Sequence, residues 1–93
     1  MSNMKDGTYN GWTNYATWRV NLEIFDGINP IDMGWTGLAA YDLAPILREY
    51  AEELIESTAP EGLAREYAMA FVDGVNYREI AEMMLEAYAD EAA

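Results

Sequence analysis

The sequence predicts an all-α fold, a compact bundle of about four helices with a long loop after the first helix. Apolar residues recur at helical spacing in four stretches, and capping residues or glycines stand at the ends of those stretches. With 93 residues, 52% of them hydrophobic, the chain is long enough for one core and one domain. We therefore expect residues 1–93 to form a single domain, in which residues 1–11 are a flexible lead-in.

The first predicted helix follows Thr13 and Asn14, either of which can serve as its N-cap. Its apolar side chains recur at helical spacing at Tyr15, Trp18, Leu22 and Phe25. A strand is the alternative for residues 18–25, because apolar and polar residues also alternate there. The capping residues and the lack of a hairpin partner favour the helix.

Residues 27–41 predict a long loop, since they contain three glycines and Pro30. We expect Ile31, Met33 and Trp35 to pin this loop against the core. Trp35 also has an alternative role, because an exposed tryptophan beside Met33 would be an apolar binding spot.

The second and third predicted helices follow one another closely. The second takes Asp42 as its N-cap, accommodates Pro45 in its first turn and runs to about Ser57. The third opens with a capping box formed by Thr58 and Glu61. Because the apolar residues of the third helix fall on nearly every side, we expect it to be the central and most buried helix.

The fourth predicted helix has a strong start signal. Asn76 is the expected N-cap, Glu79 completes a capping box, and Val75 can pack on Ile80. Its apolar face comprises Ile80, Met84, Ala87 and Tyr88. Met83 and Met84 beside Tyr88 leave two states open, a monomer and a homodimer formed through this helix.

Acidic residues exceed basic residues by seventeen to five, which gives a formal net charge of −12. Most of the excess follows residue 41, within the second, third and fourth predicted helices. Such a charge repels nucleic acids and membranes, and it attracts proteins that hold anions, among which nucleic-acid-binding proteins are the largest class. The alternative is that the charge serves only solubility.

The chain contains no Cys and no His. This excludes thiol nucleophiles, the usual zinc sites and the most common general base. Residues 34–37 lack the lysine of a phosphate-binding loop, and residues 26–32 do not match an EF-hand. We therefore expect a non-enzymatic protein without cofactor or metal ion. Since neither a secretory signal nor a membrane-spanning apolar run is visible, we expect a cytoplasmic protein.

Carboxylates line up on the second and fourth predicted helices. The first row comprises Glu49, Glu52, Glu53 and Glu56, and the second comprises Glu79, Glu82, Glu86 and Asp90. Neighbours three or four residues apart on a helix lie about 5–6 Å apart, so each row is a ridge of negative charge. If the two helices pack antiparallel around the third, the rows run as roughly parallel lines, loosely like phosphate strands. Asp26 and Asp32 extend this candidate binding surface from the loop.

Residues 11–22, GWTNYATWRVNL, resemble the W-x-N-Y-x-T-W opening of a family of small phage and mobile-element proteins. AYDLA at 40–44 and VNYREIA at 75–81 resemble later blocks of that family. The resemblance implies a phage origin and a shared fold, and some small acidic proteins of such elements are anti-CRISPR or antirestriction factors that imitate DNA. The family pattern usually has an acid where Ala16 stands, so this position takes no role from it. The motif residues themselves are typical of helix caps and core.

The leading functional hypothesis is a phage-type inhibitor, an anti-CRISPR protein acting in the bacterial host cell. As an acidic DNA mimic it would occupy the positively charged DNA-binding site of a basic DNA-binding protein, most directly a CRISPR surveillance complex. Direct contact with nucleic acid or membrane is not expected. The alternative is a small non-enzymatic adaptor that binds its partner through an apolar aromatic patch, with Trp35 as the candidate.

Overall fold

The computed structural model describes residues 8–89. Its helices are α1 (Tyr15–Val20), which continues into a π-helical turn (Asn21–Phe25), α2 (Ala40–Thr58), α3 (Leu63–Asp73) and α4 (Tyr77–Ala87). Within residues 8–89 there is no strand, and the one isolated β-bridge joins Tyr9 to Trp12. The prediction of an all-α bundle of about four helices, with a long loop after the first, is therefore confirmed.

Asn14 caps α1, as expected, because its side-chain oxygen accepts a hydrogen bond of 2.9 Å from the backbone N–H of Thr17. Residues 18–25 are helical, so the strand alternative is wrong. The predicted apolar stripe is also partly wrong, since Tyr15 and Leu22 are exposed while Val20 is buried. A π-helical turn holds one residue more than an α-helical turn. This turn closes with a 2.8 Å bond from the N–H of Asp26 to the carbonyl of Asn21.

Residues 9–11 of the predicted flexible lead-in belong to an ordered turn. Residues 1–7 lie outside the described part, but Tyr9 and Trp12 exchange two backbone hydrogen bonds of 2.8 Å. Asn10 and Gly11 between them have φ values of 49° and 86°, as a two-residue hairpin turn requires. The turn brings the ring of Tyr9 to 5.1 Å from the ring of Tyr15, measured between centroids.

Trp35 fastens the loop between the π-helical turn and α2. It is only 8% exposed and its ring meets that of Tyr50 edge-on at 5.9 Å. The backbone N–H of Trp35 donates to the carbonyl of Pro30 at 2.9 Å, which closes the loop on itself. The hypothesis of an exposed Trp35 is therefore wrong. Ile31 and Met33 are exposed, so they do not pin the loop as predicted.

The central helix is α2, which packs against both α4 and α3. Its residues Leu43, Leu47 and Ala51 form one completely buried stripe. The predicted start of this helix is wrong, because α2 begins at Ala40 without a side-chain cap and Asp42 lies within its first turn. There the carboxylate still faces the positive end of the helix dipole.

The predicted capping box at the start of the third helix is wrong. Thr58 is the last residue of α2, and its hydroxyl donates to the carbonyl of Leu54 at 2.7 Å. α3 starts after Gly62, whose φ of 135° favours glycine. The guanidinium of Arg65 then donates to the carbonyls of Ala59 and Glu56, at 3.0 Å each, and so ties the start of α3 to the end of α2.

The prediction that the third helix is the most buried is also wrong. Only Val72 of α3 is buried, whereas Leu63, Tyr67 and Phe71 are exposed. A helix with apolar residues on nearly every side does not specify by itself which side it buries. Here Arg65, bonded to the end of α2, and Arg48, paired with Asp73 at the end of α3, together hold the orientation.

Asn76 caps α4 as predicted, with its side chain accepting from the N–H of Glu79 at 3.1 Å. Glu79 does not complete a capping box. The N–H of Asn76 instead donates to the hydroxyl of Thr17 at 2.9 Å, and the carboxylate of Glu79 accepts from the N–H of Thr13, also at 2.9 Å. At the start of each of these two helices, a backbone N–H group thus finds its hydrogen-bond acceptor on a side chain of the other helix.

Candidate functional site

One acidic row lies on the solvent side of α2. Glu49, Glu53 and Glu56 are all exposed, and helical spacing places them opposite the buried stripe of that helix. Asp42 is exposed on the same side, so the row extends over about 21 Å of helix. Within residues 8–89, none of these four carboxylates forms an ion pair. We call these four residues the α2 row.

Glu52, which the sequence placed in the same row, is engaged elsewhere. It is half-buried and accepts a 3.2 Å hydrogen bond from Arg48, which also pairs with Asp73 at the end of α3. The bond to Glu52, followed by the charges of Asp73 and Glu52, raises the pKa of the Arg48 guanidinium. Arg48 therefore shares its single positive charge between Glu52 and Asp73 while it holds α2 and α3 together.

The predicted row on α4 is weaker than the one on α2. Glu79 is half-buried and accepts a hydrogen bond from the backbone N–H of Thr13, whereas Glu82 accepts a 3.2 Å bond from Arg78. Glu86 is exposed and forms no ion pair within the described residues. Asp90 lies outside the part of the chain that the structure describes. The α4 residues consequently contribute less uncompensated charge than their number implies.

The two rows do not form parallel lines around the third helix. α2 packs directly against α4, with the buried stripe of Leu43 and Leu47 on one helix and that of Ile80 and Met84 on the other. Because each acidic row lies opposite the buried stripe of its own helix, the rows face opposite sides of the α2–α4 pair. A single flat partner surface cannot contact both.

The two predicted loop residues, Asp26 and Asp32, are exposed. Asp26 follows the π-helical turn and, with Met83 and Ala87, lines a shallow cavity, so it lies beside α4. Asp32 lies farther along the same loop. Asp26 can therefore extend the charge of α4, and neither residue belongs to the α2 row.

The carboxylates offer hydrogen-bond acceptors to a cationic partner. Within residues 8–89, no three acidic side chains are grouped to hold a metal ion, and every buried side-chain nitrogen or oxygen has a hydrogen-bond partner. None of the described helices combines the length and apolarity that crossing a bilayer requires.

Sequence reasoning missed a second exposed surface, which is apolar. We call it the aromatic surface, and it consists of the half-buried Trp18 and five exposed residues: Tyr9, Tyr15, Leu63, Tyr67 and Phe71. Tyr67 is 69% exposed and Leu63 is 64% exposed. Tyr15 connects the part of the surface on α1 with the part on α3, since its ring centroid lies 5.7 Å from that of Trp18 and 6.2 Å from that of Phe71. The available signal was the recurrence of Leu63, Tyr67 and Phe71 every four residues, which predicts a stripe but not the side it faces.

Comparison with protein-family models, with curated proteins and with solved structures gives no match to this chain.

Proposed function

We propose that the protein is an inhibitor that binds the positively charged DNA-binding site of a bacterial DNA-targeting defence complex. In its specific form the proposal is a phage anti-CRISPR protein that acts on a CRISPR surveillance complex as an acidic DNA mimic. The observation that carries it is the α2 row, in which four exposed carboxylates on one rigid helix have no basic partner among residues 8–89.

The rigidity of α2 supports the proposal. The helix has 19 residues, and its opposite side is anchored by completely buried side chains of the core. Carboxylates held in this way need little ordering on binding, so more of the electrostatic attraction is retained as affinity. The charge also accelerates encounter with a cationic groove, and this acceleration falls as salt rises.

The structure favours α2 over α4 as the contact surface. Two of the three described α4 carboxylates are occupied by Arg78 or by the backbone of Thr13. Since the rows face opposite sides, we propose that the α2 row enters the DNA-binding groove. Glu86 and Asp26 then remain outside the contact.

The test is a competition experiment with a purified CRISPR surveillance complex and its target duplex, in which the protein is the competitor. The double variant Glu49→Gln/Glu53→Gln should weaken inhibition at least tenfold, because two charges facing the groove are lost. The matched control, Glu61→Gln/Glu66→Gln, removes two exposed and unpaired charges outside the row. It should change inhibition by less than about threefold, through long-range electrostatics alone.

Raising the salt concentration from ~0.1 to ~0.5 M should abolish most of the inhibition, because both the field and the pairs are screened. Equal effects of the two double variants would refute the assignment to the α2 row. Inhibition that target DNA cannot relieve, or no inhibition of any DNA-targeting complex tested, would refute the proposed function.

The alternative function, a non-enzymatic adaptor with an apolar patch, can no longer use Trp35, which is buried. The aromatic surface is the patch that remains for it. An adaptor of this kind would bind its partner with little salt dependence, and Tyr67→Ser would weaken binding more than Glu49→Gln/Glu53→Gln would.

A further inference from the structure

The aromatic surface is unusual in a chain of this charge. Helix α3 turns Leu63, Tyr67 and Phe71 toward solvent, and α1 adds Tyr15 to the same area through its contact with Phe71. Exposed rings and side chains of this number leave on the order of 500 Å² of apolar area per chain in water. This area is comparable with the largest apolar patch of a typical monomeric protein, and such patches are often functional.

On its α1 side the surface is flanked by compensated charge, although the chain as a whole carries −12. Arg19 and Glu23 beside it neutralise each other through a 2.7 Å bond, and Arg19 also donates to the hydroxyl of Tyr15. On α3 the neighbours of the apolar stripe include Ala64 and Ala70, both exposed. Glu66, which precedes Tyr67, is exposed and forms no ion pair within residues 8–89, so two copies that meet here repel each other at low salt.

The α3 stripe is also complementary to itself. Leu63, Tyr67 and Phe71 are spaced four residues apart, so the stripe is symmetric about Tyr67. In an antiparallel pair of α3 helices, Leu63 of one copy would meet Phe71 of the other, a small side chain against a large one. Ridges of residues four apart are the ones that most often interlock when helices pack.

We propose that a second copy of this chain covers the aromatic surface, forming a twofold symmetric dimer through α3 and α1. Two copies would remove on the order of 1,000 Å² of apolar area from water, which lies at the lower end of specific interfaces and corresponds to weak association. The α2 row lies on a different side of the molecule, because α3 buries against α2 the side that is opposite its stripe. This proposal does not depend on the proposed function.

Salt distinguishes this interface from the proposed inhibitor contact. Two chains of charge −12 repel one another, so screening should tighten the dimer between ~0.1 and ~0.5 M salt, whereas it should weaken a complex with a basic partner. Sedimentation equilibrium of the purified chain, from low to high micromolar concentrations, should show a monomer–dimer equilibrium that shifts toward dimer in the higher salt.

The decisive variant is Tyr67→Ser, with Tyr41→Ser as its matched control. Both tyrosines are exposed, at 69% and 60%, but Tyr41 lies at the start of α2, outside the aromatic surface. Tyr67→Ser should weaken the dimer at least tenfold, and Tyr41→Ser should leave it unchanged within a factor of two. Circular dichroism of each variant checks that the helices are retained.

Several outcomes would overturn the dimer. A chain that stays monomeric at high micromolar concentration in ~0.5 M salt, where repulsion is screened, would leave the surface to a different protein. A dimer that Tyr67→Ser leaves intact would place the interface elsewhere. If Met83→Lys dissociated the dimer instead, the interface would be on α4.

Discussion

The hydroxyl of Thr17 links the start of α1 to the start of α4 by hydrogen bonds, and its removal should lower the stability of the fold. Thr17 is completely buried. Its Oγ1 donates to the Oδ1 of Asn14 at 2.6 Å and accepts from the N–H of Asn76 at 2.9 Å. Thr17→Val keeps the shape and the branching at Cβ but removes both bonds.

The loss of stability in Thr17→Val can be estimated from the two groups that lose a hydrogen bond, the Oδ1 of Asn14 and the N–H of Asn76. An intramolecular hydrogen bond contributes about 1 kcal/mol net, and a donor left unsatisfied away from water costs about 1–3 kcal/mol. Because the N–H of Asn76 is only partly buried, the lower part of that range applies. We expect Thr17→Val to lower the free energy of unfolding by about 2 kcal/mol, which lowers Tm by roughly 8–16 °C in a domain of this size.

Thr17→Ser is the control, because it keeps the hydroxyl and removes one methyl group, at a cost of about 1 kcal/mol. Urea denaturation followed by circular dichroism gives the free energy of unfolding of all three proteins. If Thr17→Val were as stable as Thr17→Ser, or more so, packing rather than hydrogen bonding would dominate at this position, and the reasoning would be refuted.

Two further predictions concern the core. Leu47→Ala should lower the free energy of unfolding by about 2–5 kcal/mol, because Leu47 is completely buried. Leu63→Ala is the control at an exposed position and should change the free energy of unfolding by less than about 0.5 kcal/mol. Equal losses of the two variants in urea denaturation would contradict the central place of α2. Burial raises the pKa of Tyr77, whose hydroxyl donates to the carbonyl of Val72, to about 12. Folding therefore favours the protonated phenol, so its contribution to stability is complete below pH ~10 and is lost as pH rises toward ~12. Tyr77→Phe should remove the tyrosinate absorbance step near pH 12, and an unchanged titration would contradict the assignment.

The sequence predicted the caps correctly where the capping interaction is local. Asn14 and Asn76 each bind an N–H three residues ahead, so a short stretch of sequence contains both partners. Thr58 shows the limit of this reasoning. Its hydroxyl found an acceptor one turn back on α2, and the local pattern of a capping box could not exclude that competing bond.

The orientation of α3 and the state of the acidic rows depend on distant residues. Arg48 binds Asp73, 25 residues away, and thereby fixes how α3 lies on α2. The same arginine also binds Glu52, four residues ahead on α2, and this local pair was within reach of the α2 sequence. On α4 the bond of Glu79 to Thr13, 66 residues away, was not within reach of the α4 sequence. By contrast, the exposure of Glu49, Glu53 and Glu56 follows from helical periodicity, and the sequence predicted it.

The hydrogen bonds between the start of α1 and the start of α4 have a consequence for the order of folding. Its bonds join residues that are 59 to 66 positions apart in the chain, for example Thr13 to Glu79. Closing a loop of that length costs more chain entropy than forming the α2–α3 hairpin, whose tie from Arg65 to Ala59 spans six residues. The hairpin should therefore assemble first, and the starts of α1 and α4 should join last, as a latch that locks an already collapsed molecule.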